Sequence, residues 1–275
     1  SESVKPESRA TFSVKRHLGE GKHVSLLLES DQYIVAERPM YFNYGPGRQN
    51  WNDGHCIVGI TSPQKTWYFA EGTTREGFES WLCIQNPEPV DIKVTAEYTF
   101  ARGQGSPMVK TYNVPALQRL TLFLNKEVGA EKDVSVKLTS DIGFIAERPM
   151  YFLYKGAWDG GHDGRGVEIP ATSWFFAEGY TGTNFDEWLS ILNPNKSAGK
   201  ITITYYTSKG QTIIKEHDIE PESRLTVYVN GDAGRDLELS SQISSTVPVV
   251  CERPMYFYHS GMTGGHVVTG FVPAR

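Results

Sequence analysis

Six consecutive residues, Glu37-Arg38-Pro39-Met40-Tyr41-Phe42, return unchanged as residues 147–152 and again as residues 252–257. The interval, about 107 residues, is too long for one turn of a solenoid and matches a whole β-sandwich domain. Other blocks recur in the same frame. Trp67-Tyr68-Phe69-Ala70-Glu71-Gly72 returns with one change at 174–179, Trp81-Leu82 and Asn86-Pro87 return as Trp188-Leu189 and Asn193-Pro194, and Gly-His pairs end at His55, His162 and His266. Spacing is kept as well as identity. Arg9, Arg119 and Arg224 each precede the glutamate of their own copy (Glu37, Glu147, Glu252) by 28 residues, and Val24, Val134 and Leu239 each follow that arginine by 15. Gapless spacing is expected where a slip of one residue would turn a strand's core face outward.

The strands follow from alternation. Val90, Ile92, Val94, Ala96, Tyr98 and Phe100 alternate with polar residues, and Ile201, Ile203 and Tyr205 repeat the pattern. Leu120, Leu122 and Leu124 form a second period-two run; Val134, Val136 and Leu138 form a third. With Trp67–Glu71, Ser80–Gln85, Val109–Val114 and Phe144–Tyr154, one copy carries seven or eight strands and no helix. One-sided alternation in a unit of about 100 residues predicts an all-β fold of tandem immunoglobulin-like β-sandwiches. Thr61-Ser62-Pro63, Ile169-Pro170-Ala171 and Val272-Pro273-Ala274 sit at equivalent places and set the frame. The predicted domains are 66–172 and 173–275, with 1–65 the second half of a copy. That half is completed either by sequence outside this chain or by another chain, because half a sandwich leaves one face of its strands uncovered.

Composition narrows the function. The net charge of −5 carries no basic stripe, so nucleic-acid binding is not expected. No apolar run approaches the roughly 20 residues of a membrane-spanning helix, which predicts a soluble segment with no membrane insertion. The first residue is Ser1, without a leader-like stretch, as in a processed product or a fragment. Cys56, Cys83 and Cys251 occupy different places in the repeat, so they read as unpaired rather than as a disulfide framework.

Candidate sites are few. Pro39, Pro149 and Pro254 predict a bulge or sheet edge beside paired charges, and the recurring charged residues predict a structural network of Arg9, Glu37, Arg38, Glu71, Arg119, Glu147, Arg148, Glu178, Arg224, Glu252 and Arg253. No Ser, Cys or Asp recurs beside the glutamates in a catalytic role, so no enzyme is expected. The Gly-His segments read as loops whose histidines are satisfied turn residues, since too few ligands accompany them for a metal. Neither metal nor cofactor is expected. The same segments hold Tyr44, Trp51, Tyr154, Trp158 and Tyr258, aromatic residues that read as exposed and could stack on sugars. Trp81 and Trp188 read as core anchors, and Asn195-Lys196-Ser197 matches a glycosylation sequon.

The ordered set Trp67–Thr73, Glu79-Ser80-Trp81-Leu82, Gln85-Asn86-Pro87, Pro221-x-Ser223-Arg224, Ile34–Tyr41 and Gly-Gly-His resembles a repeat of secreted and surface proteins of actinobacteria and neighbouring Gram-positive lineages, a domain of unknown function. The resemblance spans the whole chain, with Asp53 replacing the first glycine of the last block. It implies an extracellular, immunoglobulin-like module used in arrays, and no activity. Two functions are therefore expected as alternatives. One is a structural or adhesive surface array, appendage or filament whose partners are copies of itself or flanking repeats. The other is a module that binds cell-wall or environmental polysaccharide.

Overall fold

The computed structural model describes residues 3–44 and 51–273, which fall into an N-terminal unit up to Tyr33 and a main unit from Ile34 onward. Among the described residues of the N-terminal unit the one helix is α1 (Val14–Leu18), a single turn whose start is capped by the Ser13 hydroxyl and whose residues bury nothing. The main unit begins with a hairpin of β1 (Glu37–Tyr44) and β2 (Trp51–Val58).

A first sandwich follows. Its elements are β3 (Gln64–Phe69), β4 (Phe78–Gln85), β5 (Ile92–Phe100), β6 (Met108–Val114), β7 (Arg119–Phe123), α2 (Leu124–Val128), β8 (Val134–Tyr154) and β9 (Trp158–Arg165). The second sandwich repeats them as β10 (Ala171–Phe176), β11 (Phe185–Asn193), β12 (Gly199–Thr207), β13 (Thr212–Ile219), β14 (Ser223–Tyr228), α3 (Val229–Asp232), β15 (Leu239–His259) and β16 (Met262–Thr269). The all-β expectation holds. All strand-to-strand pairing in both sandwiches is antiparallel.

Each sandwich is organised by one 21-residue strand, β8 or β15. The first part of β8 lies between β5 and β3, and its second part lies between β4 and β9. One strand thus serves both sheets, switching between them near Ser140–Gly143. The sequence suggests two strands here, because the apolar alternation lapses across those residues. The alternating residues of β5 (Ile92, Val94, Ala96, Tyr98) point into a core with Trp67, Phe69, Leu82, Val136 and Phe144. Trp174, Ile191, Ile203, Tyr205 and Ile243 do the same in the second sandwich. The indole N–H of Trp67 donates to Phe144 O at 2.8 Å, and that of Trp174 to Val249 O at 2.9 Å, so each buried ring has its polar edge satisfied.

Several expectations change. The core tryptophans are Trp67 and Trp174; Trp81 and Trp188 are half-buried on the outer face, against Phe123 and Tyr228 with centroids 4.4 and 4.5 Å apart. Pro149 marks neither edge nor bulge. It sits in a strand paired on both sides, and its missing N–H costs only a gap in the β4 ladder, whose register is the same before and after it. Leu124, expected as strand, opens the helical turn α2.

The first copy is the largest departure. Residues 24–36, equivalent to the first part of β8, form no strand, and pairing starts only at Glu37. In the complete copies that stretch is held by β5 and β3, for which this sequence has no counterpart before Arg9. The helical turn survives where the strand does not, because α1 needs only local bonds. Ala274, in the last of the three linker segments, lies outside the described residues.

Candidate functional site: the seam between repeats

Glu71 leaves the end of β3 and meets three side chains of the next sandwich. Its carboxylate accepts from Arg224 Nη2 at 2.7 Å and also from the Ser190 hydroxyl, while its backbone N–H donates to Glu252 Oε2 at 2.6 Å. Arg148 Nη1 closes the cluster, donating to Glu252 Oε2 at 2.7 Å and to Glu71 O at 2.5 Å. Arg224 Nη1 adds Val134 O at 2.9 Å and Gly72 O. Two ion pairs of opposite direction thus cross one seam, with an arginine and a glutamate contributed from each side. β11 positions the second sandwich's half: Arg224 and Glu252 lie on the strands flanking it, in register with Leu192 and Ser190.

All four charged side chains are at most 4% exposed. Burial works against the charged form of Arg148, but Glu252 and Glu71 outweigh it and hold its pKa above the ordinary arginine value. Apolar residues seal the same seam, where Ala70, Tyr68 and Val167 pack on Leu192 and Val250.

The preceding seam has half of this arrangement. Arg38 of the β1–β2 hairpin donates to Glu147 at 2.9 Å and to Asp163 at 2.6 Å, repeating the Arg148–Glu252 pair one copy earlier. Burial and the neighbouring Glu147 charge push Asp163 up to about 7, against the pull of Arg38 and Arg148. Arg119, at the place of Arg224, reaches Cys83 Sγ at 2.9 Å and the Thr121 hydroxyl at 3.0 Å.

Three hairpins stack along the same direction. β9 lies against β2 on one side and β16 on the other. The ring of Phe42 packs edge-on against Tyr151 at 4.9 Å and 88°, and Phe152 against Tyr256 at the same distance and angle. Each ring rests on a glycine of the next hairpin: a Cβ on Gly161 would lie 2.7 Å from Phe42, and one on Gly265 2.7 Å from Phe152. Tyr154 stacks on Tyr256 at 4.4 Å and 10°, and Lys155 pairs with Asp186 across the seam. These glycines are strand residues in register with the tyrosines, not loop residues.

The histidines also differ from expectation. His55, His162 and His266 lie on β2, β9 and β16, and the ring nitrogens of His55 and His162 have no hydrogen-bond partner among the described residues. Burial, then Arg148 and the flanking histidines, hold His162 well below the usual histidine range; burial and Arg38 lower His55 to about 4. Among the described residues no group of three or more His, Cys, Asp or Glu is placed to hold a metal.

Of the proposed charge network, Arg38, Glu71, Glu147, Arg148, Arg224 and Glu252 join two seams, and Glu178 pairs with Arg253 at 2.8 Å. Glu37 is exposed and stands outside it, and Arg9 is an exposed residue of the N-terminal unit. The seam pairs run between copies, whereas Glu178–Arg253 lies inside one. Of the five loop aromatics Tyr44 and Tyr258 are exposed, Trp158 is half-buried, Tyr154 is half-buried and stacked on Tyr256, and Trp51 is buried. The three cysteines are free. The Asn195 amide is tied to Asn193 Oδ1 and Pro248 O, which occupies the nitrogen a glycan would need. Sequence reasoning missed Ser190 and Asp163, which do not recur as the same residue in the sister copies.

No protein-family model and no curated protein matches the chain. Among solved structures, the crystal structure of Thermotoga maritima 1070 is similar at 23% identity and a TM-score of 0.35, over 37% of this chain and 94% of that one. The Anabaena sensory rhodopsin transducer is similar at 26% identity and a TM-score of 0.29, over 32% and 90%.

Proposed function

We propose that this chain is a non-catalytic structural repeat protein of the cell exterior, in which consecutive β-sandwiches are locked into one load-bearing array. The observation that carries the reading is the buried crossed pair of ion pairs, Arg224–Glu71 and Arg148–Glu252, which joins two sandwiches whose cores are separate. Interfaces between loosely associated domains are comparatively polar; here the facing surfaces bury complementary charges and are sealed by apolar residues. The stacked hairpins add a second line of contact along the same axis, with no gap between copies. The extracellular setting follows from the family resemblance.

Equilibrium urea unfolding tests the reading. Coupled repeats unfold together when nearest-neighbour contacts are strong. The two sandwiches are expected to lose structure in one transition, whether followed by tryptophan fluorescence or by far-ultraviolet circular dichroism. Two independent transitions would show modules strung on a linker and would contradict a load-bearing array.

A further inference from the structure

The far face of the second sandwich repeats the face that the first sandwich uses to hold the second, but no described residue of the main unit covers it. Bridges place Phe271 beside Phe175 where Val167 lies beside Tyr68. In the first sandwich that surface is sealed: Ala70 is fully buried and the Glu71 side chain is 4% exposed. In the second, Ala177 is exposed, the Glu178 side chain is 68% exposed and Phe271 is 67% exposed. A surface that stays in water is normally polar, as on the capping repeats of arrays. This one presents Phe271, Val272 and Ala177.

The charged groups are set for the same exchange. Arg253 donates to the Glu178 backbone carbonyl as Arg148 does to that of Glu71. At the occupied seam Arg148 also takes Glu252 from the next copy, and the Glu71 carboxylate is left to receive Arg224. At the open face the Glu178 carboxylate itself bends back onto Arg253 at 2.8 Å, filling the place of the incoming glutamate. The Phe257 ring, half-buried, stands where Phe42 and Phe152 rest on a glycine of the following hairpin.

We propose that this face is a docking surface for the leading face of another repeat of this same kind. The incoming repeat supplies an arginine at the place of Arg224 for Glu178, a glutamate at that of Glu252 for Arg253, two apolar residues at those of Leu192 and Val250 for Phe271 and Ala177, and a glycine at that of Gly265 under Phe257. The inference rests on the array reading above and extends it to a surface that reading leaves open.

The test uses the full chain and an extended chain in which residues 168–272 are appended directly after Phe271, continuing the repeat in register. Urea unfolding of the extended chain is expected to remain a single transition, with the appended copy folded by circular dichroism. Ala177→Arg, placed on the face itself, is expected to split that transition in two in the extended chain and to leave the midpoint of the original chain unchanged. An appended copy that unfolds separately without the substitution would overturn the proposal. So would one that stays unfolded behind this face, or an Ala177→Arg extended chain that still unfolds as one. Ala70→Arg in the original chain separates this failure from that of the array reading. If it uncouples the two sandwiches while Ala177→Arg changes nothing in the extended chain, only the docking surface is wrong; if it too changes nothing, the array reading fails with it.

Discussion

Glu71 uses its backbone N–H, its carbonyl and its carboxylate to hold four side chains, Arg148 from its own sandwich and Glu252, Arg224 and Ser190 from the next. Removing one member of a buried ion pair strands the other, a loss of about 3–5 kcal/mol. Arg224→Met is expected to destabilise the chain by that amount in urea unfolding, since the Glu71 carboxylate keeps only Ser190. Replacing both members by apolar residues of similar volume is expected to cost far less. The buried histidines supply a residue-scale pH prediction. His55 and His162 have folded pKa values below their unfolded values, so their neutral forms contribute stability that is fully present above about pH 6.5 and is lost as pH falls toward the folded value, about 4 for His55. Asp163 and Glu187, each raised to about 7 chiefly by burial, act in the opposite sense: their contribution is present below about pH 4 and is lost as pH rises through 7. Because these trends oppose one another, the check must be site-resolved. Imidazole NMR shifts at pH 5.5 are expected to show His55 and His162 neutral.

The hairpins carry the element-scale lesson. Gly161 and Gly265 have no Cβ because a ring of the preceding copy occupies that space, so Gly161→Ala must push Phe42 or the β8 backbone away. Overpacking of this kind costs about 1–3 kcal/mol, and the same change at Gly265 is expected to cost a similar amount by disturbing Phe152. Thermal unfolding of the two variants checks this. The recurring glycines are visible in the sequence, but their reason is not, because the ring that needs them lies in the preceding repeat, Phe42 for Gly161 and Phe152 for Gly265. What the sequence does show is local. Period-two alternation located β5, β7 and β12, and the Asn86-Pro87 and Asn193-Pro194 blocks recur visibly, although not the reason for them: their asparagine amides pin several carbonyls. The continuity of β8 through Ser140–Gly143 was not legible, since a strand that changes sheets also changes which of its faces is apolar. Nor could Trp67 be ranked above Trp81 as a core residue, because both stand in alternating strands and only packing separates them.

At the scale of the molecule, repeats that look self-contained in sequence share their most buried charges. Both ion pairs of the central seam link different copies, so the fixed 28-residue spacing from Arg224 to Glu252 keeps two charges aligned toward a neighbour rather than toward each other. Such buried pairs are poorly screened by salt. Raising sodium chloride to 1 M is therefore expected to leave the coupling between the sandwiches intact, whereas the exposed Lys15–Glu20 pair would be weakened. The central claim, that the seam is held by these charges, is tested most directly by a double-mutant cycle on Glu71→Gln and Arg224→Met in equilibrium unfolding. We predict a coupling energy of about 2 kcal/mol or more, near the upper range for residues in one buried network. Additivity within about 0.5 kcal/mol, the behaviour of independent sites, would contradict it.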